Sequence, residues 1–264
     1  MALKEFSLEG KAAVVIGAEH AVGRAAAAAM AEAGAKVLLA SQEPGTEKQL
    51  KEAAKAIGAS GAKVSIRVQS AAIRGDLSST AELAVKELGA LDILVNALDI
   101  LVNALDVPLY APAEAADDSA FDKVIEGNLK TVWMACQEGG RVMLRHGGGV
   151  IVNITSVLAD RGAPNAALYC AAQAGVLNLT RALALEWARK GVRVNAIKAG
   201  WLEEAKSPAT NEDEFAKNLM KYLPDNRLIK PEELGGALLY LVSPAAAFVT
   251  GESIAVDGGL LCRV

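Results

Sequence analysis

Short apolar runs alternate with longer helical segments along the whole chain. The runs AAVVIG (12–17) and GVIVNITS (149–156) predict buried strands, because each is short, apolar and rich in β-branched residues. Ala-rich or periodic stretches predict helices, for example at 21–34, from about 119 to 145 and from about 166 to 190. This alternation favours a parallel sheet covered by helices on both faces. No linker divides the chain, so we expect one domain over residues 1–264.

A seven-residue segment is repeated in tandem, as LDILVNA at 91–97 and again at 98–104. The neighbouring strands set the length of a central strand, so only one copy can form the strand. The other copy must extend into a loop, and ligands of doubly wound sheets bind beyond the carboxyl ends of the strands. We therefore expect the additional residues over a ligand crevice; the alternative is a neutral insertion looped out at the surface.

Composition excludes several classes of protein. With 52% hydrophobic and 22% charged residues, the chain is not of the disordered class. Its net charge of −4 and its 4% of aromatic residues argue against nucleic-acid binding. Three scattered cysteines indicate neither a disulfide framework nor a metal site. The sequence also has no signal-peptide core and no uninterrupted apolar stretch of about 18 residues, so we expect a cytoplasmic protein that does not bind membranes.

The first predicted strand–turn–helix unit has the spacing of a dinucleotide-binding turn. Gly17 permits a tight turn, and Gly23 permits close packing of the helix. Ala21 occupies the middle position, where the backbone must approach a pyrophosphate. On its own, this motif is only weakly specific.

A more specific motif lies in the second half of the chain. Ser156 ends a predicted strand, and Tyr169 follows thirteen residues later in the long helix. Together with the C-terminal segment PEELGGALLYLVSPAAAFVTGESIAVDGG, these residues make the chain resemble the classical short-chain dehydrogenase/reductase family from Leu8 to Gly259. The resemblance implies a Rossmann-like, doubly wound parallel sheet of seven strands, a homotetramer, and NAD(P)-linked oxidation of alcohols or reduction of carbonyls.

The resemblance also implies catalytic roles for individual residues. Ser156 and Tyr169 would hold the substrate oxygen, and Asn128 would hold a water relay. In the family a lysine binds the cofactor ribose and lowers the pKa of the tyrosine, but here that position is Gln173. Because a phenol without a neighbouring cation has a pKa of about 10, we expect Tyr169 to donate a proton but to be a poor base.

Several positions around the expected cofactor depart from the family pattern. After the second strand, Ser41 and Gln42 offer neither an acid for the ribose diol nor an arginine for a 2′-phosphate. The threonine that meets the nicotinamide amide is replaced by Glu204, at the start of a lid of about residues 201–223. Asp76, in contrast, matches the adenine-side aspartate. If a dinucleotide binds, its expected contacts are Gly17, Ala21, Gly23, Ser41, Asp76 and Asn96.

These departures favour the hypothesis that hydride transfer has been lost. The main hypothesis is a non-redox reaction (lyase, hydrolase or dehalogenase-like) on a small hydroxyl or carbonyl substrate, with the Ser–Tyr pair binding its oxygen. An ordinary NAD(P)-dependent oxidoreductase is the first alternative and a non-catalytic subunit the second, so the expected cofactor is either none or NAD(P). Candidate bases or substrate contacts, some equally compatible with solvated loop positions, are His20, Asp99, Asp106, Trp201 and Glu204.

Overall fold

A seven-stranded parallel sheet forms the centre of the computed structural model, which describes residues 4–98, 112–203, 221 and 223–262. The strands are β1 (Ala12–Ile16), β2 (Lys36–Ala40), β3 (Val64–Arg67), β4 (Ile93–Asn96), β5 (Gly149–Ser156), β6 (Val192–Ala199) and β7 (Ser253–Val256). Their order is β3-β2-β1-β4-β5-β6-β7. The doubly wound seven-stranded fold expected from the sequence is thereby confirmed. The strand order reverses between β1 and β4, and in such sheets a ligand crevice opens at that point.

Helices cover both faces of this sheet. They are α1 (Ala21–Glu32), α2 (Glu47–Gly58), α3 (Arg74–Leu88), α4 (Asp118–Ile125), α5 (Thr131–Arg145), α6 (Ala167–Trp187) and α7 (Gly235–Val242). Successive strand residues point to opposite faces. Val15 accordingly packs in the core with α1, α2 and α7, whereas its neighbour Val14 packs with α3, α5 and α6. Among the described residues, no helix is long and apolar enough to cross a membrane.

The first copy of the tandem repeat forms the central strand. Strand β4 lies within residues 91–97, between β1 and β5, and Asn96 pairs in register with both Ile16 and Asn153. The main-chain N–H of Ala97 continues the ladder by donating to the carbonyl of Ile16 at 3.0 Å. Leu98, which begins the second copy, is buried. The rest of that copy lies outside the described residues.

Candidate active site

Asn128 lies on a π-helical turn (Glu126–Lys130) between α4 and α5. The sequence predicts one continuous helix here, whereas the structure interrupts it with this wider turn. Asn128 is buried, and its Nδ2 donates to the carbonyl of Val124 at 2.9 Å. Its Oδ1 accepts from Nε2 of Gln173 at 3.2 Å. Single π turns are uncommon and often occur at functional sites.

The amide of Gln173 connects three parts of the site. Its Oε1 accepts a hydrogen bond from the hydroxyl of Thr155 and another, at 3.2 Å, from the main-chain N–H of Ser156. Its Nε2 donates to Asn128, so the buried amide joins the end of β5 to the π turn. The residue that replaces the family's lysine therefore fixes the surrounding geometry, but it brings no positive charge.

Ser156 and Tyr169 come from the end of β5 and the first turn of α6. Oγ of Ser156 accepts from the main-chain N–H of Leu158 at 3.2 Å. Tyr169 is only 1% exposed and packs against Leu158, with Trp201 at the edge of the same cluster. Tyr169 and Gln173 are four residues apart on α6 and so share one helix face. The four residues predicted for catalysis thus lie near one another, at the carboxyl end of β5.

The glycine-rich turn lies where β1 and β4 diverge. Gly17 has φ +85°, and a Cβ there would lie 2.3 Å from the carbonyl oxygen of Ala97. A Cβ on Gly23 would lie 2.2 Å from the carbonyl oxygen of Gly17. Ala21 begins α1 and is half-buried, and His20 precedes it on the turn. The expected turn is therefore present, and its two glycines stand where any side chain would collide with the backbone.

Two of the predicted cofactor contacts hold the neighbouring loops together. The hydroxyl of Ser41 donates to the carbonyl of Gln69 at 2.9 Å and accepts from its N–H at 2.8 Å, which links the ends of β2 and β3. Asp76, in the first turn of α3, accepts from the main-chain N–H of Ser70 at 2.9 Å. Both side chains therefore stabilise the edge of the crevice.

Glu19 is a residue of this crevice that the sequence analysis did not single out. Its carboxylate is buried, with 6% of the residue exposed, and Oε1 accepts from the main-chain N–H groups of Gln42 at 2.6 Å and Glu43 at 3.1 Å. Oε2 of Glu19 and Oε1 of Gln42 are both buried without a hydrogen-bond partner. The pKa of Glu43 is raised, mainly because its carboxyl is partly buried. The nearby Glu19 also raises this pKa, whereas His20 lowers it. As the single acid between Gly17 and Gly23, Glu19 could have been noticed in the sequence.

Asn96 lies in a polar network inside the sheet. Its Nδ2 donates to Oδ1 of Asn153 at 2.8 Å and to Sγ of Cys136 at 3.3 Å, and Asn153 in turn donates to Thr180 at 2.9 Å. Burial raises the pKa of the Cys136 thiol to about 12, although its hydrogen bonds with Asn153 and Asn96 act in the opposite direction. This thiol is therefore a packing group rather than a nucleophile.

The remaining candidates lie at or beyond the mouth of the site. Trp201 is half-buried between the cluster around Tyr169 and a second cluster that includes Leu223. Its carbonyl accepts from the N–H of Ile229 at 2.8 Å, which anchors the start of the expected lid. Asp99, Asp106, Glu204 and most of that lid lie outside the described residues. In the part of the chain that the structure describes, no cluster of acidic, histidine or cysteine side chains could hold a metal.

The fold and the crevice define a Rossmann-like α/β protein with a Ser–Tyr pair at the carboxyl edge of its sheet. A family model described as enoyl-(acyl carrier protein) reductase matches residues 17–261. The chain belongs to the short-chain dehydrogenase/reductase family.

Relatives and solved structures resemble nearly the whole chain. The 3-oxoacyl-[acyl-carrier-protein] reductase of Vibrio harveyi is 32% identical over 254 residues, which cover 96% of this chain and 98% of the relative. A gluconate 5-dehydrogenase of Burkholderia cenocepacia, solved with NADP and tartrate, is 29% identical over 100% of both chains, with a TM-score of 0.88. A 7α-hydroxysteroid dehydrogenase, solved with NADH and 7-oxoglycochenodeoxycholic acid, is 28% identical over 98% of both chains, with a TM-score of 0.86.

These relatives overturn the non-redox hypothesis. That hypothesis took the loss of the lysine at Gln173 and of the nicotinamide contacts as loss of hydride transfer. The relatives are instead named reductases and dehydrogenases, and two of their structures contain nicotinamide cofactors. The physical reason for the error is visible at Gln173, whose amide keeps Asn128 and Ser156 positioned. The substitution removes a charge but leaves the arrangement of the site intact, so the lyase, hydrolase or dehalogenase-like assignment was wrong.

Proposed function

We propose that the chain is an NAD(P)-dependent oxidoreductase that reduces the carbonyl group of a small molecule. The observation that supports this most directly is the hydrogen-bonded group of Asn128, Gln173 and Ser156 beside Tyr169. It lies at the carboxyl edge of a doubly wound sheet, where such folds bind their ligands. The names and bound cofactors of the relatives support the same reaction class.

The crevice residues fit a dinucleotide. Gly17 and Gly23 keep the turn free of side chains where a Cβ would collide, and the N-terminal N–H groups of α1 follow directly. The unpartnered acceptors of Glu19 and Gln42 would receive donors from such a ligand. A bound nicotinamide would supply the hydride for reduction. Binding roles for Ala21, Asp76 and Asn96 remain predictions.

Ser156 and Tyr169 would act on the substrate oxygen. Oγ of Ser156 already accepts from Leu158, so its O–H is left to donate to the carbonyl oxygen. Tyr169 would donate the proton as negative charge develops on that oxygen. Reduction needs a protonated phenol at this position, and Gln173 brings no positive charge that would favour the ionised form. The residues of this chain therefore suit donation of a proton to the oxygen of a carbonyl substrate.

This function is tested by following the oxidation of NADH and NADPH with a panel of small ketones and keto acids. We expect one of the cofactors to be oxidised, and Tyr169→Phe to lower kcat by about 10²–10⁴-fold because the proton donor is lost. Tyr240→Phe, which changes a tyrosine on α7 outside the site, is the matched control and should retain the wild-type rate. An undiminished rate in Tyr169→Phe, or no oxidation with any carbonyl compound, would contradict the proposal.

We also propose the homotetramer that the family resemblance implies. Trp133 on α5 and Leu185 on α6 are exposed, Leu185 to 83%, and Phe248 is fully exposed. Large apolar side chains exposed on neighbouring helices are typical of surfaces that associate. The cytoplasm remains the expected compartment.

A further inference from the structure

The buried carboxylate of Glu19 takes the place of the acid that is missing after β2. We infer that Glu19 makes the cofactor site selective for NAD(H) over NADP(H). The inference rests on the proposed function, because it requires a dinucleotide in this crevice. In dinucleotide folds, an acid near the end of the second strand hydrogen-bonds the adenosine ribose, whereas an arginine accommodates a 2′-phosphate. Here neither Ser41 nor Gln42 is acidic or cationic, and the acid comes from the glycine-rich turn instead.

The hydrogen bonds of Glu19 occupy the donors that a phosphate would need. Its Oε1 accepts from the main-chain N–H groups of Gln42 and Glu43, the first two residues after Ser41 at the end of β2. The hydroxyl of Ser41 is engaged with the main chain of Gln69. Thus the main-chain N–H groups of Gln42 and Glu43 and the hydroxyl of Ser41 are already committed to protein acceptors.

Two buried acceptors beside the glycine-rich turn have no hydrogen-bond partner. Oε2 of Glu19 and Oε1 of Gln42 are both buried and unpartnered. A buried acceptor without a hydrogen bond costs about 1–3 kcal/mol, so a ligand that brings donors is favoured there. The diol of an adenosine ribose brings two O–H donors, whereas a 2′-phosphate replaces one of them with acceptor oxygens and negative charge.

The surrounding charges also oppose a phosphate. Glu43 stands beside Glu19 and is itself half-buried. Nε2 of His20 lies 3.9 Å from Oε1 of Glu19, and Nη1 of Arg24 donates to the main-chain carbonyl of Glu19 at 2.5 Å. A 2′-phosphate would enter beside two carboxylates. This chain should therefore differ from the gluconate 5-dehydrogenase that was solved with NADP.

The test is calorimetric titration of the full chain with four probes: NADH, NADPH, ADP-ribose and 2′-phospho-ADP-ribose. We expect wild-type protein to bind NADH at least tenfold more tightly than NADPH, with the same preference between the two fragments. Glu19→Ser removes the carboxylate and releases two N–H groups, so it should bring the ratio of dissociation constants to near one or reverse it. Glu47→Gln is the matched control, because it removes an exposed carboxylate on α2 and should retain the preference.

Several outcomes would overturn the inference. Equal affinities of the wild-type protein for NADPH and NADH would overturn the inference but would be compatible with the proposed oxidoreductase function. An unchanged ratio in Glu19→Ser would also overturn it; if that variant does not fold, Glu19→Gln tests the same charge with a similar shape. Binding of ADP-ribose without binding of NADH would support Glu19 selectivity but contradict the oxidoreductase function. Failure of all four probes to bind would overturn both.

Discussion

Gln173 links the residues of the candidate site by hydrogen bonds but supplies no charge. The amide accepts from Thr155 and Ser156 and donates to Asn128. These neighbours therefore have hydrogen-bond partners without a lysine at this position. What the amide cannot do is stabilise a phenolate on Tyr169. The absence of a lysine at this position is visible in the sequence, but the sequence could not show that the amide would hold the neighbouring residues in place.

Replacing the Gln173 amide with a cation separates the effect of its hydrogen bonds from the effect of the missing charge. We expect Gln173→Lys to raise kcat for alcohol oxidation at neutral pH relative to kcat for carbonyl reduction. The reason is that a nearby cation raises the ionised fraction of a phenol about tenfold or more. The substitution should also lower the free energy of unfolding by about 1–3 kcal/mol, since Thr155 and Ser156 lose their acceptor. Gln173→Met, with similar length but no charge, should show the second effect alone. Equal oxidation-to-reduction ratios in the two variants would count against this account.

At the scale of elements, the apolar pattern predicts most strands but not all. Strand β3 did not stand out, because it is an edge strand whose four residues are only half-buried. The π turn that carries Asn128 was predicted as ordinary helix, since its extra residue depends on contacts with α6 rather than on local propensity. Glu19 was missed for a similar reason, because its partners are main-chain groups after β2 that the sequence does not place beside it.

The turn between β1 and α1 depends on glycine at Gly17. Gly17→Ala should lower the free energy of unfolding by about 2–5 kcal/mol, because it combines a left-handed backbone with a collision against Ala97. Gly45→Ala is the matched control: its φ is +87°, but nothing lies within 4 Å of the added Cβ. Its expected cost is about 1–2 kcal/mol, from backbone strain alone. Urea unfolding measures both, and similar losses would show that the close approach is unimportant.

For the whole molecule, the order of elements predicted the doubly wound sheet, and the family resemblance predicted its seven strands. Association between chains remains a prediction from the same resemblance, and α5 and α6 carry exposed apolar side chains that suit it. The hypothesis of a non-redox reaction gave too much weight to single substitutions. Departures at single positions predict loss of the reaction, but Gln173 still hydrogen-bonds Ser156 and Asn128.

The assembly can be tested by light scattering coupled to size-exclusion chromatography. We expect a particle of about four times the chain mass of 27.3 kDa. Leu185→Glu should shift the protein to smaller species, because it places a charge on an exposed apolar surface of α6 that we expect to be covered. Gln49→Glu adds a carboxylate on α2 and should leave the mass unchanged. A monomeric wild-type chain would refute the expected tetramer.

Either copy of the tandem repeat could form the central strand, so the chain has two possible frames, each defined by the copy that supplies β4. Residues 91–97 supply β4, and residues 98–104 have the same sequence, so either copy could present identical side chains to β1 and β5. Asp92, which accepts from the N–H of Ala12 at 2.9 Å, has a counterpart in Asp99. The two frames differ in the length of the connections on either side, and loop closure changes by only about 1 kcal/mol for such differences. The native frame is therefore selected by chain connectivity, while the side chains of the strand itself do not discriminate.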